Sequence, residues 1–348
     1  VSDVLVRVEG RAGRITLNRP RALNALTLDM ILSIDAALGA WEHDDAIRLV
    51  LVDGAGERGL CAGGDIRSLY DAIRAGDMGV TRDFFRAEYR MNARIAAYPK
   101  PYVAFMDGIS MGGGIGISAH GSYRVVTERS RLAMPEVGIG FVPDVGGTFL
   151  LGRAPGKFGI HAALTASQLG AADAILCGLA DMHVDSACLA DLAVELAACD
   201  TEAALRACLE GRATPPAVGK LAGAEAWISA CYDNDPVEAI YAALSAHPDP
   251  AARQAAADMA GKCPFSLKLA LRAVRHAATQ ASVNPCLDLE YRLALFCLAR
   301  PDFREGVRAA LVDKDRNPAW QPARLDAVTD GMVEAAFAAP DFGGLGLQ

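Results

Sequence analysis

Pro101-Tyr102-Val103-Ala104-Phe105-Met106-Asp107-Gly108-Ile109-Ser110-Met111-Gly112-Gly113-Gly114 decides the fold class. An apolar run of strand length ends in a glycine cluster that opens a helix. Upstream, Leu49-Val50-Leu51-Val52 repeats the pattern, running into Gly59-Leu60-Cys61-Ala62-Gly63-Gly64-Asp65 and a second helix. Tyr123 to Thr127 reads as a further strand. Near the start, Val4, Val6 and Val8 alternate, and Arg11-Ala12-Gly13 turns the chain into Arg14-Ile15-Thr16-Leu17, a hairpin. Thr27 caps a helix whose apolar residues Ile31, Ile34, Leu38 and Trp41 recur at spacings of three and four. Repeated strand, glycine loop and helix units predict an α/β region over residues 1–200. Residues 201–348 carry no strand signal. They are Ala-rich with helical periodicity, punctuated by Pro215-Pro216, Asp235-Pro236, His247-Pro248 and Pro264. Leu267, Leu271, Val274 and Ala278 mark one apolar helical face there, so this second region is expected to be all helix.

Composition narrows the function. The 348 residues are 52% hydrophobic and 22% charged, an ordinary globular balance. A formal charge of −8 and the lack of any Lys/Arg run exclude a nucleic-acid binder, which needs a basic surface to displace phosphate counterions. No apolar run reaches the roughly 18 residues that span a bilayer, so no membrane partner is expected. The nine cysteines are scattered without metal-ligand spacing, which suits free thiols in a reducing compartment. The cytoplasm is the expectation, or the mitochondrial matrix if a transit peptide preceded Val1. The histidines form no HExxH or i, i+4 pair, and no P-loop or strand-linked GxGxxG occurs. Neither a metal nor a nucleotide cofactor is expected.

Two glycine loops placed between strand and helix can aim backbone N–H groups outward, at a helix start that carries partial positive charge. Side by side they offer two donors to one developing oxyanion; separately, each is an ordinary tight turn. The segment Met134-Pro135-Glu136-Val137-Gly138-Ile139-Gly140-Phe141-Val142-Pro143-Asp144-Val145-Gly146-Gly147 sets two acids in apolar surroundings. Lost hydration raises a carboxylate's pKa and makes it a better base or nucleophile. The plainer alternative has Asp144 capping a helix that begins near Gly146 and Glu136 on the surface. Gly108-Ile109-Ser110-Met111-Gly112 also matches the serine-hydrolase elbow, with His161, His183, His247 and His276 downstream. No HGGG-type oxyanion motif precedes it, which weakens that reading.

Asn18-Arg19-Pro20-Arg21-Ala22-Leu23-Asn24-Ala25-Leu26, Cys61-Ala62-Gly63-Gly64-Asp65-Ile66 and Gly108-Ile109-Ser110-Met111-Gly112-Gly113-Gly114, in this order, resemble the crotonase (enoyl-CoA hydratase/isomerase) superfamily. The resemblance implies a spiral of ββα units binding an acyl-CoA. Its oxyanion hole would come from the N–H groups of Gly64 and Gly113. It implies substrate contacts at Arg21, Ala22, Ala62 and Asp65, with CoA as part of the substrate rather than a cofactor, and assembly as trimers or hexamers. Hydratases of the superfamily hold water between two glutamates; the second matches Glu136, whereas the first falls on Gly116. Asp144 stands where hydratases usually carry glycine. That exchange resembles the 3-hydroxyisobutyryl-CoA hydrolase branch. So do Phe84-Phe85-Arg86-Ala87-Glu88-Tyr89, whose Glu88 would lie near the acyl group, and Asp302-Phe303-Arg304-Glu305-Gly306-Val307-Arg308. The implied activity is hydrolysis of a short 3-hydroxyacyl-CoA thioester by Glu136 and Asp144. Enoyl-CoA hydration and a non-catalytic acyl-CoA-binding homologue are the alternatives.

Overall fold

The computed structural model describes residues 2–340 and 343–347. Strands among them are β1 (Val4–Glu9), β2 (Ala12–Leu17), β3 (Leu49–Gly54), β4 (Tyr102–Met106), β5 (Ile109–Met111), β6 (Tyr123–Val126), β7 (Arg131–Ala133) and β8 (Met182–His183). Six form one sheet in the order β1-β2-β3-β4-β6-β8. The β1–β2 hairpin is antiparallel and pairs Val4 with Leu17; every later pairing is parallel. The hairpin turn falls one step earlier than the sequence suggested. Ala12 and Gly13 are already in β2, opposite Glu9 and Val8, and the chain reverses at Gly10-Arg11, where Arg11 N–H donates to Ala197 O at 2.7 Å.

Packing divides the chain into two compact units that interleave in sequence. One comprises the residues up to Gly64, Arg90–Leu132 and Leu169–Lys220. It contains the six-stranded sheet. Leu49 and Leu51 of β3 face a cluster with Val103, Phe105, Val125, Leu192 and Leu196, while Val50 and Val52, pointing the other way, are equally buried. A parallel sheet covered on both faces needs such continuous apolar runs. Helix α1 (Leu28–Glu42) starts where Thr27 accepts the Met30 N–H, and buries Ile31, Ile34, Leu38 and Trp41 as their spacing predicts.

The other unit comprises Asp65–Tyr89, Ala133–Gln168 and the residues from Leu221 on, and its elements are helical. Asp65 caps α2 (Ile66–Arg74) by accepting from Ser68 N–H. Next come α3 (Met78–Ala96), α4 (Gly113–Gly116) back in the sheet-bearing unit, and α5 (Gly147–Gly152). No strand follows His183 among the described residues, so the expected helical C-terminal region is present. Its helix Pro264–Ala277 buries Leu267, Leu271 and Val274, but Ala278 is an exposed C-cap and Ala277 completes the face instead. Among the described residues no helix is long and apolar enough to cross a membrane.

Candidate active site

The glycine loops lie side by side in the sheet-bearing unit. Cys61 N–H donates to Ile109 O, and Met111 N–H returns a bond to Cys61 O, both at 3.0 Å. Cys61 and Ser110 thus pair in parallel, and Gly64 and Gly113 stand the same number of residues beyond that pair. Gly114 permits the approach, since a Cβ there would lie 2.3 Å from Cys61 O. Gly113 is the first residue of α4, after Gly112 at φ 48°. Neither Gly64 N–H nor Gly113 N–H has a backbone acceptor among the described residues, which leaves both as donors for a ligand oxygen.

The Asn18–Leu26 motif braces these loops. Buried Asn24, at φ 55°, donates its amide to Ala55 O and Gly59 O at 3.0 Å and accepts from Arg19 N–H. Ala62 N–H bonds Leu23 O, and Leu26 N–H bonds Gly63 O. Ala62 is half-buried; Arg21 and Ala22 are exposed on the turn Pro20–Ala22, whose carbonyls Arg58 grips. Asp65 lies in the other unit, as the α2 cap.

The acids gather in the helical unit. Glu136 opens a 3-10 turn (Glu136–Ile139) and is only 6% exposed; Asp144 is 5% and Glu88, on α3, 2% exposed. The surface alternative for Glu136 is thereby corrected. Tyr89, next to Glu88, donates its hydroxyl to Asp144 Oδ2 at 2.5 Å. Glu88 Oε1 and Glu136 Oε2 are buried without a hydrogen-bond partner. Phe303, Phe141, Phe85, Tyr89 and Tyr291 form a chain of ring contacts in the same unit, with centroids 5.5–6.2 Å apart. Burial pushes both Glu88 and Glu136 well above the usual carboxylate range, and the charge of Asp144 pushes the same way. Asp144 is raised to about 7 by burial, held back by the Tyr89 hydroxyl and a backbone N–H.

Asp144 does not cap α5. The cap role belongs to Glu290 on the helix Val283–Ala299, which accepts Gly146 N–H at 2.6 Å and Thr148 N–H at 3.0 Å. A side chain so distant in sequence gave no signal. Tyr89 lies in the stretch of residues 84–89, whose family resemblance points to Glu88 alone. The C-terminal stretch Asp302–Arg308 proves to be a packing device. A Cβ on Gly140 would lie 2.5 Å from the Asp302 backbone, and one on Gly306 2.5 Å from Ile139, so these glycines let the helix Pro301–Val307 seat the Glu136 turn.

The serine-hydrolase arrangement does not form. Ser110 is fully buried with a partnerless hydroxyl, while His161 bonds Tyr232 and His183 bonds Thr214. Ligand atoms of Glu128, His183 and Asp185 lie within 4.8 Å of one another, but the Glu128 carboxylate is taken up by Ser186 N–H and Oγ.

The family model described as enoyl-CoA hydratase/isomerase matches residues 12–337. The chain belongs to the enoyl-CoA hydratase/isomerase family. Among proteins of this family, a 3-hydroxyisobutyryl-CoA hydrolase, mitochondrial, of Rattus norvegicus is 42% identical over 343 residues, 97% of this chain and 89% of that one. The crystal structure of a carnitinyl-CoA dehydratase from Mycobacterium thermoresistibile is 48% identical with TM-score 0.94, covering 99% of this chain and 98% of that one. An enoyl-CoA hydratase from Rhodobacter sphaeroides is 42% identical with TM-score 0.91, covering 99% of this chain and 100% of that one. The crotonase-like fold of this enoyl-CoA hydratase/isomerase family member, with its helical C-terminal region, agrees with the sequence expectation.

Proposed function

We propose that this protein hydrolyses a short 3-hydroxyacyl-CoA thioester, with 3-hydroxyisobutyryl-CoA, the substrate of the named rat relative, as the leading candidate. The observation that carries the reading is a buried Asp144, held by Tyr89 in one acid cluster with Glu136, in a chain whose position 116 is glycine. Two acids are retained where a hydratase would use two glutamates, but one of them has moved. In this reading the Gly64 and Gly113 N–H groups take the oxyanion formed when water, or Glu136, attacks the thioester carbon. The C–S bond then breaks, and the departing thiolate takes a proton from the acid cluster. In this reading Asp144, raised to about 7, serves as the base for water, and Glu136, held well above the usual carboxylate range by burial, serves as the proton donor. An attack by Glu136 itself would instead give an anhydride, which hydroxylamine traps. Glu88, buried beside the pair, is assigned to the substrate's hydroxyl, and Arg21, Ala22, Ala62 and Asp65 to CoA.

Hydration or dehydration is the second reading, because the two similar crystal structures are of a dehydratase and a hydratase. A thiol-release assay across 3-hydroxyacyl-CoA and enoyl-CoA substrates separates the readings. The hydrolase releases free CoA, a hydratase consumes the conjugated thioester absorbance without thiol, and a binder does neither. Glu136→Gln should retain the fold and abolish thiol release; full residual hydrolysis would remove Glu136 from the mechanism. The same reading puts the protein in a reducing compartment, cytoplasm or mitochondrial matrix, in keeping with nine free cysteines. It also includes a trimer or hexamer, which light scattering tests.

A further inference from the structure

Asp144 is followed by a segment that ought to be uncomfortable. Val145 sits at φ 54°, a left-handed conformation that a β-branched side chain resists, and Gly146 follows at φ 77°. Such a turn persists only where its surroundings over-determine it. Here the turn is tied at both ends. Gly147 N–H returns to Asp144 O at 2.6 Å, and the Glu290 carboxylate accepts Gly146 N–H, Thr148 N–H and the Thr148 hydroxyl. Glu290 is 1% exposed, and no cation pairs with it among the described residues. An isolated buried carboxylate is costly unless its lone pairs are filled, and three donors from one short segment fill them. A buried carboxyl gripped by three donors beside other acids, and raised to about 8 by that burial, is not what stability alone would select.

We propose that Glu290 is a positioning residue of the reaction: by gripping the Val145–Thr148 turn from behind, it aims the Asp144 carboxylate. This rests on the hydrolase reading above, in which Asp144 touches the water or the substrate. Tyr89 fixes the side chain of Asp144, and Glu290 fixes the backbone two and four residues beyond it, at Gly146 and Thr148. The charge of Asp144 raises the pKa of Glu290, and Glu290 in turn raises those of Glu136, Tyr89 and Cys286. Its charge lifts that of Glu136 further above the usual range, so Glu290 also helps keep a proton in the cluster.

Glu290→Gln keeps the shape but presents an amide N–H₂ to one of the three donors. The wild type must first release thiol from 3-hydroxyisobutyryl-CoA, or from a close 3-hydroxyacyl-CoA; if it does not, the hydrolase reading fails and the positioning role that rests on it falls with it. With that activity in hand, kcat of Glu290→Gln should fall by on the order of 10- to 100-fold, the loss that a misplacement of about 1 Å produces. KM should hold within about threefold of wild type, and the acid limb of the kcat profile should move. Thr148→Val, which removes only the hydroxyl donor, should show a smaller loss of the same kind and serves alone if Glu290→Gln does not fold. A folded Glu290→Gln with lowered Tm but unchanged kcat and acid limb would overturn the proposal, as would an unchanged Thr148→Val where it is the only folded variant.

Discussion

Asp144 shows how one hydroxyl sets the working range of a buried acid. Desolvation lifts its carboxyl to about 7, and the Tyr89 hydroxyl works against that lift by donating to the ionised form. Tyr89→Phe removes the donor while keeping the ring. A hydrogen bond to a charged group is worth roughly 1.5–3 kcal/mol, and about 1.4 kcal/mol corresponds to one pKa unit, so the Asp144 pKa should climb by roughly 1–2 units. If Asp144 acts as a base, the acid limb of kcat/KM moves to higher pH by that amount. The rate near neutrality drops by roughly 5- to 50-fold for a shift of that size and recovers above about pH 9. A pH–rate profile with an unmoved acid limb would show that Asp144 does not act as the base. Glu136 and Asp144 stand out in the sequence because their short stretch has apolar neighbours that make a charge conspicuous, whereas Glu88, flanked by Arg86 and Arg90, is marked only by the family resemblance of residues 84–89. Glu290 was not legible. It lies between Leu289 and Tyr291 on an ordinary amphipathic helix, and what gives it meaning is a turn at Gly146 and Thr148 that only the fold brings to it.

At the scale of elements, strands and helices that carry their own local signals were readable. Thr27 and its helix, the β3 and β4 runs, and the glycine loops all follow from local periodicity and capping. The hairpin turn slipped because Arg11 is claimed by Ala197, a partner remote in sequence. The C-terminal stretch Asp302–Arg308 was recognisable as a pattern, yet its purpose was hidden, since it acts by shape. Asp302 accepts from Arg300 and Gln321 N–H, and Gly306 leaves room for Ile139, so this helix fixes the turn that begins with Glu136. Gly306→Ala tests that role. Its methyl would sit within 2.6 Å of three Ile139 backbone atoms, none of which is a flexible side-chain tip, so the turn must shift. Overpacking of this kind costs about 1–3 kcal/mol of stability. Thiol release should fall far more than that stability loss explains, by on the order of 10²-fold in kcat with the protein still folded by circular dichroism. Normal turnover in the folded variant would mean that the Glu136 turn does not depend on this seat.

The whole molecule bears the cost of concentrating Glu88, Glu136, Asp144 and Glu290 in one buried cluster, each with its pKa raised by burial. A carboxyl whose pKa is higher in the folded than in the unfolded chain binds more protons when folded, so stability falls as pH rises between the two values. For Asp144 and Glu290 that window runs from about 4, the ordinary carboxylate value, to about 7 and about 8 respectively. Surface acids paired with arginine, such as Glu9, Glu305 and Asp315, are shifted downward, so their contribution is lost only below about pH 4.5. The two sets together place the stability maximum at about pH 4 to 4.5, on the acid side of the range in which Asp144 becomes ionised. Calorimetric Tm should therefore decline from pH 5 to pH 8, the reverse of what a protein dominated by surface ion pairs shows. Asp144→Asn removes one buried charge while keeping an oxygen for the Tyr89 hydroxyl. It should match the wild type below about pH 4, where Asp144 is protonated in both states, and exceed it at pH 8 by on the order of 4 kcal/mol if the full shift is recovered. The same variant should release no thiol, so the stability gained at pH 8 would measure what the ionised Asp144 costs the fold. A wild-type Tm that is level or rising across this range, with Asp144→Asn tracking it, would show that the cluster is solvated or paired when it ionises.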